Sequence, residues 1–401
     1  MHCVRPVTED LYWVGASDRR LALFENVYPI PRGVSYNAYV LLDEKTVLLD
    51  TVDEAISGQF FENLAYVLGE RMLDYVVVNH MEPDHCAALM ELLHRYPGVA
   101  VVGNAKTMTM IGQFFDCELG ERALTVKEGD TLPLGKHTLT FAMAPMVHWP
   151  EAMVTYDTAD KVLFSADAFG TFGALNGNLF ADEVEFERDW LADARRYYTN
   201  IVGKYGMQVQ SLLKKAAALE IRYLCPLHGP VWRKDIGWFV EKYQRWSTYA
   251  PEERAVLIVC GSVYGHTENA MDILACRLAE KGVRNIALYN VSNTDVSELV
   301  GEAFRCSHIV LAAATYNNGI FTPMENFLLD LKAHNLQNRT VAVVENGSWG
   351  PQAGKLMREI VDSMKGMTLL GEGITLKSAV KAAQREALEA LAGQLAEDIL
   401  G

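Results

Sequence analysis

Residues 76–93 read VVVNHMEPDHCAALMELL, and the six positions His80-Met81-Glu82-Pro83-Asp84-His85 hold two imidazoles and two carboxylates. Neutral imidazole and ionised carboxylate are ligands for first-row transition ions. Any one of the four alone reads as a solvated loop residue, with Asp84 as a helix N-cap. Four potential ligands in six positions read as a metal-binding cluster. An apolar run precedes the loop and a helical pattern follows it. The loop therefore leaves the carboxyl end of a strand, where several side chains can aim at one point. In an extended chain His80, Glu82 and Asp84 share a face, and His85 joins them only if the chain turns, for which Pro83 is placed.

Three further candidates also follow apolar strands: His148 in APMVHWPEAM, Asp167 in VLFSADAFG and His228 in YLCPLHGP. Singly, each reads as a turn or interface residue; with the loop they make a set of seven. His2, His94, His137, His266, His308 and His334 carry no metal signal. Zinc sites favour His and Cys, whereas a carboxylate-rich site mixed with imidazole suits iron.

A second kind of chemistry is suggested by VCGSVYGHTENA, where Ser262, Val263, Tyr264, Gly265, His266 and Thr267 lie between a strand and a helix. Backbone N–H groups, hydroxyls and a helix N-terminus cradle phosphate. The spacing is neither that of the dinucleotide fingerprint nor that of the ATPase P-loop. Turns of this kind are common caps, so two later strand ends add the weight. LAAATYNNGIFTPM offers Thr315, Tyr316, Asn317, Asn318 and Gly319, and VVENGSWGPQAGK offers Asn346, Gly347, Ser348, Trp349 and Gly350. Both would flank the switch point of a 2-1-3-4-5 sheet, where FMN binds. Glycine lets the backbone approach the ring, and Tyr or Trp can stack on it.

The elements that must position these groups follow two grammars. Residues 1–249 are rich in short β-like runs: 37–42, 46–50, 74–79, 99–102, 137–144, 153–157 and 161–165. Helical patterns cover 86–95 and, as two helices, most of 187–219, which suggests an α/β sandwich. After Pro251, strands at 255–260, 286–290, 308–313, 340–345 and 373–376 alternate with helices at 268–281, 295–303, 323–335, 352–363 and 380–399, the pattern of a doubly wound parallel sheet. The 401 residues carry a net charge of −15, which argues against nucleic acid. No apolar run reaches membrane-spanning length and no signal peptide is evident, so a cytoplasmic protein is expected. Seven scattered cysteines without a C-x-x-C pair argue against a disulfide framework and a cysteine-ligated metal.

H-x-x-x-D-H followed by spaced His, Asp and His resembles the metallo-β-lactamase fold. The usual hydrolases of that fold carry H-x-H-x-D-H, and Glu82 stands here at the second His. The 262–267 loop resembles the flavodoxin phosphate loop T/S-x-x-x-x-T. With HWPE, FSADAFG and PLHGP, the chain resembles the flavodiiron proteins over essentially its whole length. The resemblance implies a metallo-β-lactamase-like αββα sandwich over 1–250 and a flavodoxin-like FMN domain over 251–401. It implies that His80, Glu82 and His148 bind one iron, that Asp84, His85 and His228 bind the other, and that Asp167 bridges; the family varies at the position of His85. Were two ferrous ions bound, as the resemblance implies, they would bring four positive charges; Glu82, Asp84 and Asp167 would remove three, and a bridging hydroxide could neutralise the rest. The implied activity is reduction of O2 to water or of NO to N2O, with electrons arriving through FMN. A head-to-tail homodimer, alone or as a dimer of dimers, would pair one flavin with the other subunit's irons, and Trp149 would pack at that junction. No rubredoxin or flavin-reductase domain follows, so a separate donor is expected, rubredoxin or a reduced deazaflavin. Two rivals remain: a metal-dependent hydrolase with an appended flavodoxin, which Glu82 argues against, and a pure electron carrier, which the seven ligand positions argue against.

Overall fold

Apolar and β-branched runs form strands where the sequence leads one to expect them; several in the first unit are a residue or two shorter, whereas in the second Glu253–Gly261 and Cys306–Tyr316 run longer than expected. The structure is a computed structural model that describes residues 2–401. The chain divides into a unit ending at Gln244 and a unit Arg245–Gly401.

The first unit holds two mixed sheets. One orders seven strands as Arg5–Pro6, Leu11–Trp13, Tyr39–Leu41, Val47–Leu49, Tyr75–Val77, Ala100–Gly103 and Ala123–Thr125. The other orders Thr131–Pro133, Thr138–Met143, Met153–Asp157, Val162–Phe164 and Tyr223–Cys225. Tyr39 of the first sheet packs 5.5 Å from Phe164 of the second, and the Met153 backbone N–H donates to the Asn79 carbonyl, so the sheets share one core. Val47–Leu49 and Val162–Phe164 are buried throughout, as strands covered on both faces must be.

Two helical expectations are corrected. The helix over 86–95 is two short helices, Pro83–Cys86 and Leu89–Arg95. Pro83 begins the first, because its fixed φ suits the first helical position and its missing N–H is one the helix would leave unbonded anyway. The two helices over 187–219 are an interrupted run: Phe186–Asp189, Leu191–Tyr197, a π turn Tyr198–Val202, a tight turn Gly203–Tyr205, then Gly206–Ala216. Turns of the π kind gather at functional sites, and this one adjoins Tyr197.

The second unit is a parallel sheet in the order Ile286–Asn290, Glu253–Gly261, Cys306–Tyr316, Thr340–Asn346, with Thr368–Leu369 and Ile374–Leu376 both pairing with the last. This is the 2-1-3-4-5 order with a split fifth strand. Helices His266–Glu280 and Ala382–Leu400 pack through Leu274, Leu278, Leu388 and Leu395 on one face of the sheet. Among the described residues no helix is long and apolar enough to cross a membrane.

Candidate functional site

His80 leaves the strand Tyr75–Val77, Asp167 leaves Val162–Phe164, and His228 leaves Tyr223–Cys225. His148 sits in the connection between Thr138–Met143 and Met153–Asp157. All seven sequence-selected side chains converge, and all are buried. Their ligand atoms form two groups, His80, Glu82, His148 and Asp167 in one and Asp84, His85 and His228 in the other, each within 4.8 Å. The expectation that His80, Glu82 and Asp84 share one face is corrected. Glu82 is the N-cap of the helix that starts at Pro83, so the chain turns there. Asp84 and His85 are carried away from Glu82 into the second group.

Asp167 reaches both groups. Its Oδ2 lies 3.1 Å from the Nε2 atoms of His80 and His148, and its Oδ1 lies 3.2 Å from His85 Nε2 and 3.5 Å from His228 Nε2. Glu82 Oε2 lies 3.0 Å from His148 Nε2 and 3.3 Å from His80 Nε2.

The tautomers are set from behind. His80 Nδ1–H donates to Glu151 Oε1 at 2.8 Å, and His228 Nδ1–H donates to the Ser35 carbonyl at 2.8 Å. Each neutral imidazole then presents a bare Nε2 lone pair to the centre. His80 Nε2 faces carboxylate oxygens, and His228 Nε2 faces His85 Nε2 at 3.0 Å. Lone pairs facing lone pairs require cations between them. Asp84 Oδ1 and Oδ2, Asp167 Oδ1 and His85 Nδ1 are buried without hydrogen-bond partners. Buried polar atoms without partners are costly unless something else engages them. The donor set therefore fits two metal ions, and its carboxylate content fits iron.

The electrostatics agree. Burial alone would pull the imidazole pKa values down. The carboxylates of Asp167, Glu151 and Glu82 outweigh it at His80, whose pKa lies well above the usual value, and Asp167 with Glu82 raises His148 to about 9. Against their own burial, Glu82 and Asp167 are held below the carboxylate range by the same imidazoles. The pocket demands positive charge, as protons or as metal.

Three further residues at this centre escape sequence reasoning. Glu151 also accepts from the Met81 N–H at 2.8 Å; its signal was a carboxylate three positions after His148. Glu25 is exposed at the surface, yet the desolvated surroundings of its carboxyl and the charge of Glu82 raise its pKa to about 8, and nothing in the local sequence marks it. The Tyr197 hydroxyl is buried without a partner, and its ring lies 5.4 Å from His228. Burial and the Asp167 charge keep this phenol protonated well beyond its ordinary range. Trp149 stands edge-on to His80 with ring centroids 5.4 Å apart.

In the second unit the three loops at adjacent strand ends enclose a cavity of about 450 Å³. Its lining includes Ser262, Val263, Tyr264, His266, Thr267, Thr315, Tyr316, Asn317, Asn318, Asn346, Gly347, Ser348 and Trp349, together with Ala314 and Ser378, which no local motif marks. Gly265, Gly319 and Gly350 are not in the lining. Gly265 and Gly350 instead take φ of +88° and +51°, which shapes their loops. Asn346 is committed to structure, its amide donating to Thr267 Oγ1 and the Ser378 carbonyl. Thr315 Oγ1 accepts the Gln352 and Ala353 N–H groups. Tyr264 and Trp349 are 90% and 85% exposed, leaving two aromatic faces open beside the cavity. A cavity of this size, with a helix N-terminus and open aromatic faces, fits a phosphorylated flavin.

Residues 34–229 match the model of the ODP family beta lactamase. The chain is 32% identical over 365 residues to the anaerobic nitric oxide reductase flavorubredoxin of Aeromonas hydrophila, covering 89% of this chain and 72% of that protein. Among solved structures, rubredoxin oxygen:oxidoreductase from the anaerobe Desulfovibrio gigas superposes with a TM-score of 0.92 at 27% identity, over 99% of this chain and 98% of that one. The flavodiiron protein from Giardia intestinalis superposes with a TM-score of 0.93 at 26% identity, over 99% and 97% of the two chains.

Proposed function

The chain belongs to the flavodiiron proteins, oxidoreductases that carry a diiron centre and FMN, and we propose that it reduces O2 to water or NO to N2O with electrons passed through FMN. One observation carries the reading. Two groups of ligands, spanned by the two oxygens of Asp167, stand in the same chain as a flavin-sized cavity. Two of the relatives are named for reactions with nitric oxide and with oxygen.

His80, Glu82 and His148 would hold one iron, Asp84, His85 and His228 the other, with Asp167 between them. When bound, the metal pair supplies a seat for a diatomic and the electrons to reduce it, and FMN delivers electrons singly. The protein supplies the rest. Glu151 and the Ser35 carbonyl hold His80 and His228 with Nε2 toward the centre. Burial of all seven side chains excludes bulk water and strengthens every charge interaction inside. The Tyr197 phenol, protonated and unpartnered, is available to donate a hydrogen bond toward a bound diatomic. Reduction of O2 to two waters consumes four electrons and four protons; joining two NO into N2O and water consumes two of each.

A head-to-tail homodimer, alone or paired as a dimer of dimers, supplies the electron route from one subunit's flavin to the other's irons, and rubredoxin or a reduced deazaflavin supplies the electrons. The rubredoxin named in the Desulfovibrio relative supports the first donor. The hydrolase alternative is disfavoured by Glu82, a carboxylate where a hydrolytic zinc site uses imidazole.

The test begins with metal and flavin content of protein made in iron-replete medium, where two irons and one FMN per chain are expected. Anaerobic stopped-flow mixing of the reduced protein with O2 or with NO follows. Rapid flavin reoxidation by at least one gas is expected; reoxidation by neither, in protein carrying both cofactors, refutes the reading.

A further inference from the structure

Beneath the diiron ligands of the first unit lies a second cavity, of about 100 Å³. Every residue lining it is apolar. Its floor is Leu163 and Leu224, register partners on the adjacent parallel strands whose carboxyl ends deliver Asp167 and His228. Leu213 and Val240 form its sides, from helices Gly206–Ala216 and Ile236–Ser247. Its mouth is at exposed Ala217 and half-buried Ile236.

Phe169 closes the inner end. It lies two residues beyond Asp167 and takes φ of +69°, a region that bulky side chains rarely occupy. Its N–H donates to the Tyr243 hydroxyl at 2.6 Å, and the two rings lie 4.3 Å apart, which holds it there. On the other side of this turn, a Cβ placed on Gly170 would stand 2.8 Å from Tyr197 Cε1 and 3.1 Å from the Asp167 carbonyl oxygen. Tyr197 in turn packs on His228. The Phe169–Gly170 turn is thus the partition between the cavity and the ligand cluster.

Resting on the reductase reading above, we propose that this cavity is a binding site for apolar diatomic gas that supplies the metal centre. A buried water needs two to four polar partners, and apolar cavities stay dry and take up guests such as xenon. The lining side chains offer no such partner. O2 and NO are small, neutral and poorly solvated by water, so an apolar pocket whose lining includes Phe169, two residues beyond Asp167, concentrates them beside the turn that carries a ligand. The site accepts neutral gases and excludes ions, including nitrite.

The test uses the iron- and FMN-loaded protein. Xenon-pressurised crystals should show xenon between Leu163, Leu213 and Phe169; no xenon there overturns the proposal. Val240→Trp should fill the cavity, abolish the xenon site and raise KM for the gas severalfold. Iron content, FMN content and the rate of flavin reduction should stay as in the parent. Should Val240→Trp fail to fold, Ala217→Trp at the exposed mouth should raise KM in the same way. An unchanged KM in a folded variant that has lost the xenon site overturns the proposal. The xenon arm needs no turnover, so a failure of the reductase reading, seen as no turnover of either gas by the parent protein, is distinguished from a failure of the cavity.

Discussion

Glu151→Gln isolates what holds His80 in place. The Glu151 carboxylate is fully buried, and its Oε1 accepts from His80 Nδ1 and from the Met81 N–H, both at 2.8 Å. Burial opposes ionisation, yet these bonds keep the pKa below the usual carboxylate value. Glutamine has the same shape, and its carbonyl oxygen can accept both bonds, so the variant removes charge rather than geometry. A hydrogen bond to a charged group contributes roughly 1.5–3 kcal/mol and a neutral one about 0.5–1.5, so each bond weakens by about 1–1.5 kcal/mol. The Met81 bond is the same with and without metal and cancels from a metal-binding comparison. The His80 bond does not cancel in a comparison made at a pH where the metal-free imidazole is neutral, because coordination then makes its Nδ1–H more acidic. The expected loss of affinity at the His80 group is therefore about 1–1.5 kcal/mol, on the order of tenfold, the lower edge of what outer-sphere mutations of metal sites produce. The assay is chelator competition on the metal-free protein, read as affinity for each of two ions, with urea unfolding of the same sample. The ion held by His80, Glu82 and His148 should weaken while the other changes little. Equal weakening of both, or an unchanged affinity beside a lowered metal-free stability, would refute the reasoning by making Glu151 a structural residue only.

Three other outcomes are expected. Burial works against charging His137, but its bonds to Asp157 at 3.0 Å and Asp10 at 3.2 Å raise its pKa. Its stabilisation is therefore full below the unfolded value of roughly 6.5 and is lost as pH rises through the folded value; His137→Gln should flatten that limb of the unfolding free energy against pH. Arg339 is buried and donates to the carbonyls of Ala303, Phe304, Tyr249, Gln337 and Asn338, with burial pulling its pKa down only to about 10. Arg339→Met strands those carbonyls and should destabilise the second unit by at least about 3 kcal/mol in urea unfolding followed by FMN fluorescence. Gly229 has φ of +77°, and an added Cβ would lie 2.1 Å from Thr171 Cγ2; Gly229→Ala should displace His228 and lower occupancy of the second ion, measured as metal per chain.

The catalytic chemistry was written locally. A strand end can be read from an apolar run, and a ligand-bearing loop from the residues after it, so His80, Glu82, Asp84, His85, His148, Asp167 and His228 were nameable without coordinates. The same held for Ser262–Thr267 and the two later loops, because strand–helix alternation alone fixes a parallel sheet whose strand ends gather at one edge. What the local pattern got wrong was the path between ligands. Alternation treats the loop as extended, but Pro83 starts a helix and Glu82 caps it. That turn divides the carboxylates between two groups.

The supporting residues were decided only by tertiary structure. Glu151 meets His80 across 71 positions and the Ser35 carbonyl meets His228 across 193, pairings that depend on how the two sheets face each other. Asn346 lines the flavin-sized cavity as the sequence leads one to expect, but only the fold shows that its amide also joins Thr267 to Ser378. Leu163 and Leu224 looked like ordinary core residues, and nothing in either strand foretells a space between them and Phe169. Sequence determined which groups could do the chemistry, because residue type and strand ends are local properties. Only the fold decided which oxygen faces which nitrogen, which tautomer each imidazole holds and where the apolar space lies, because each depends on side chains brought together from distant parts of the chain.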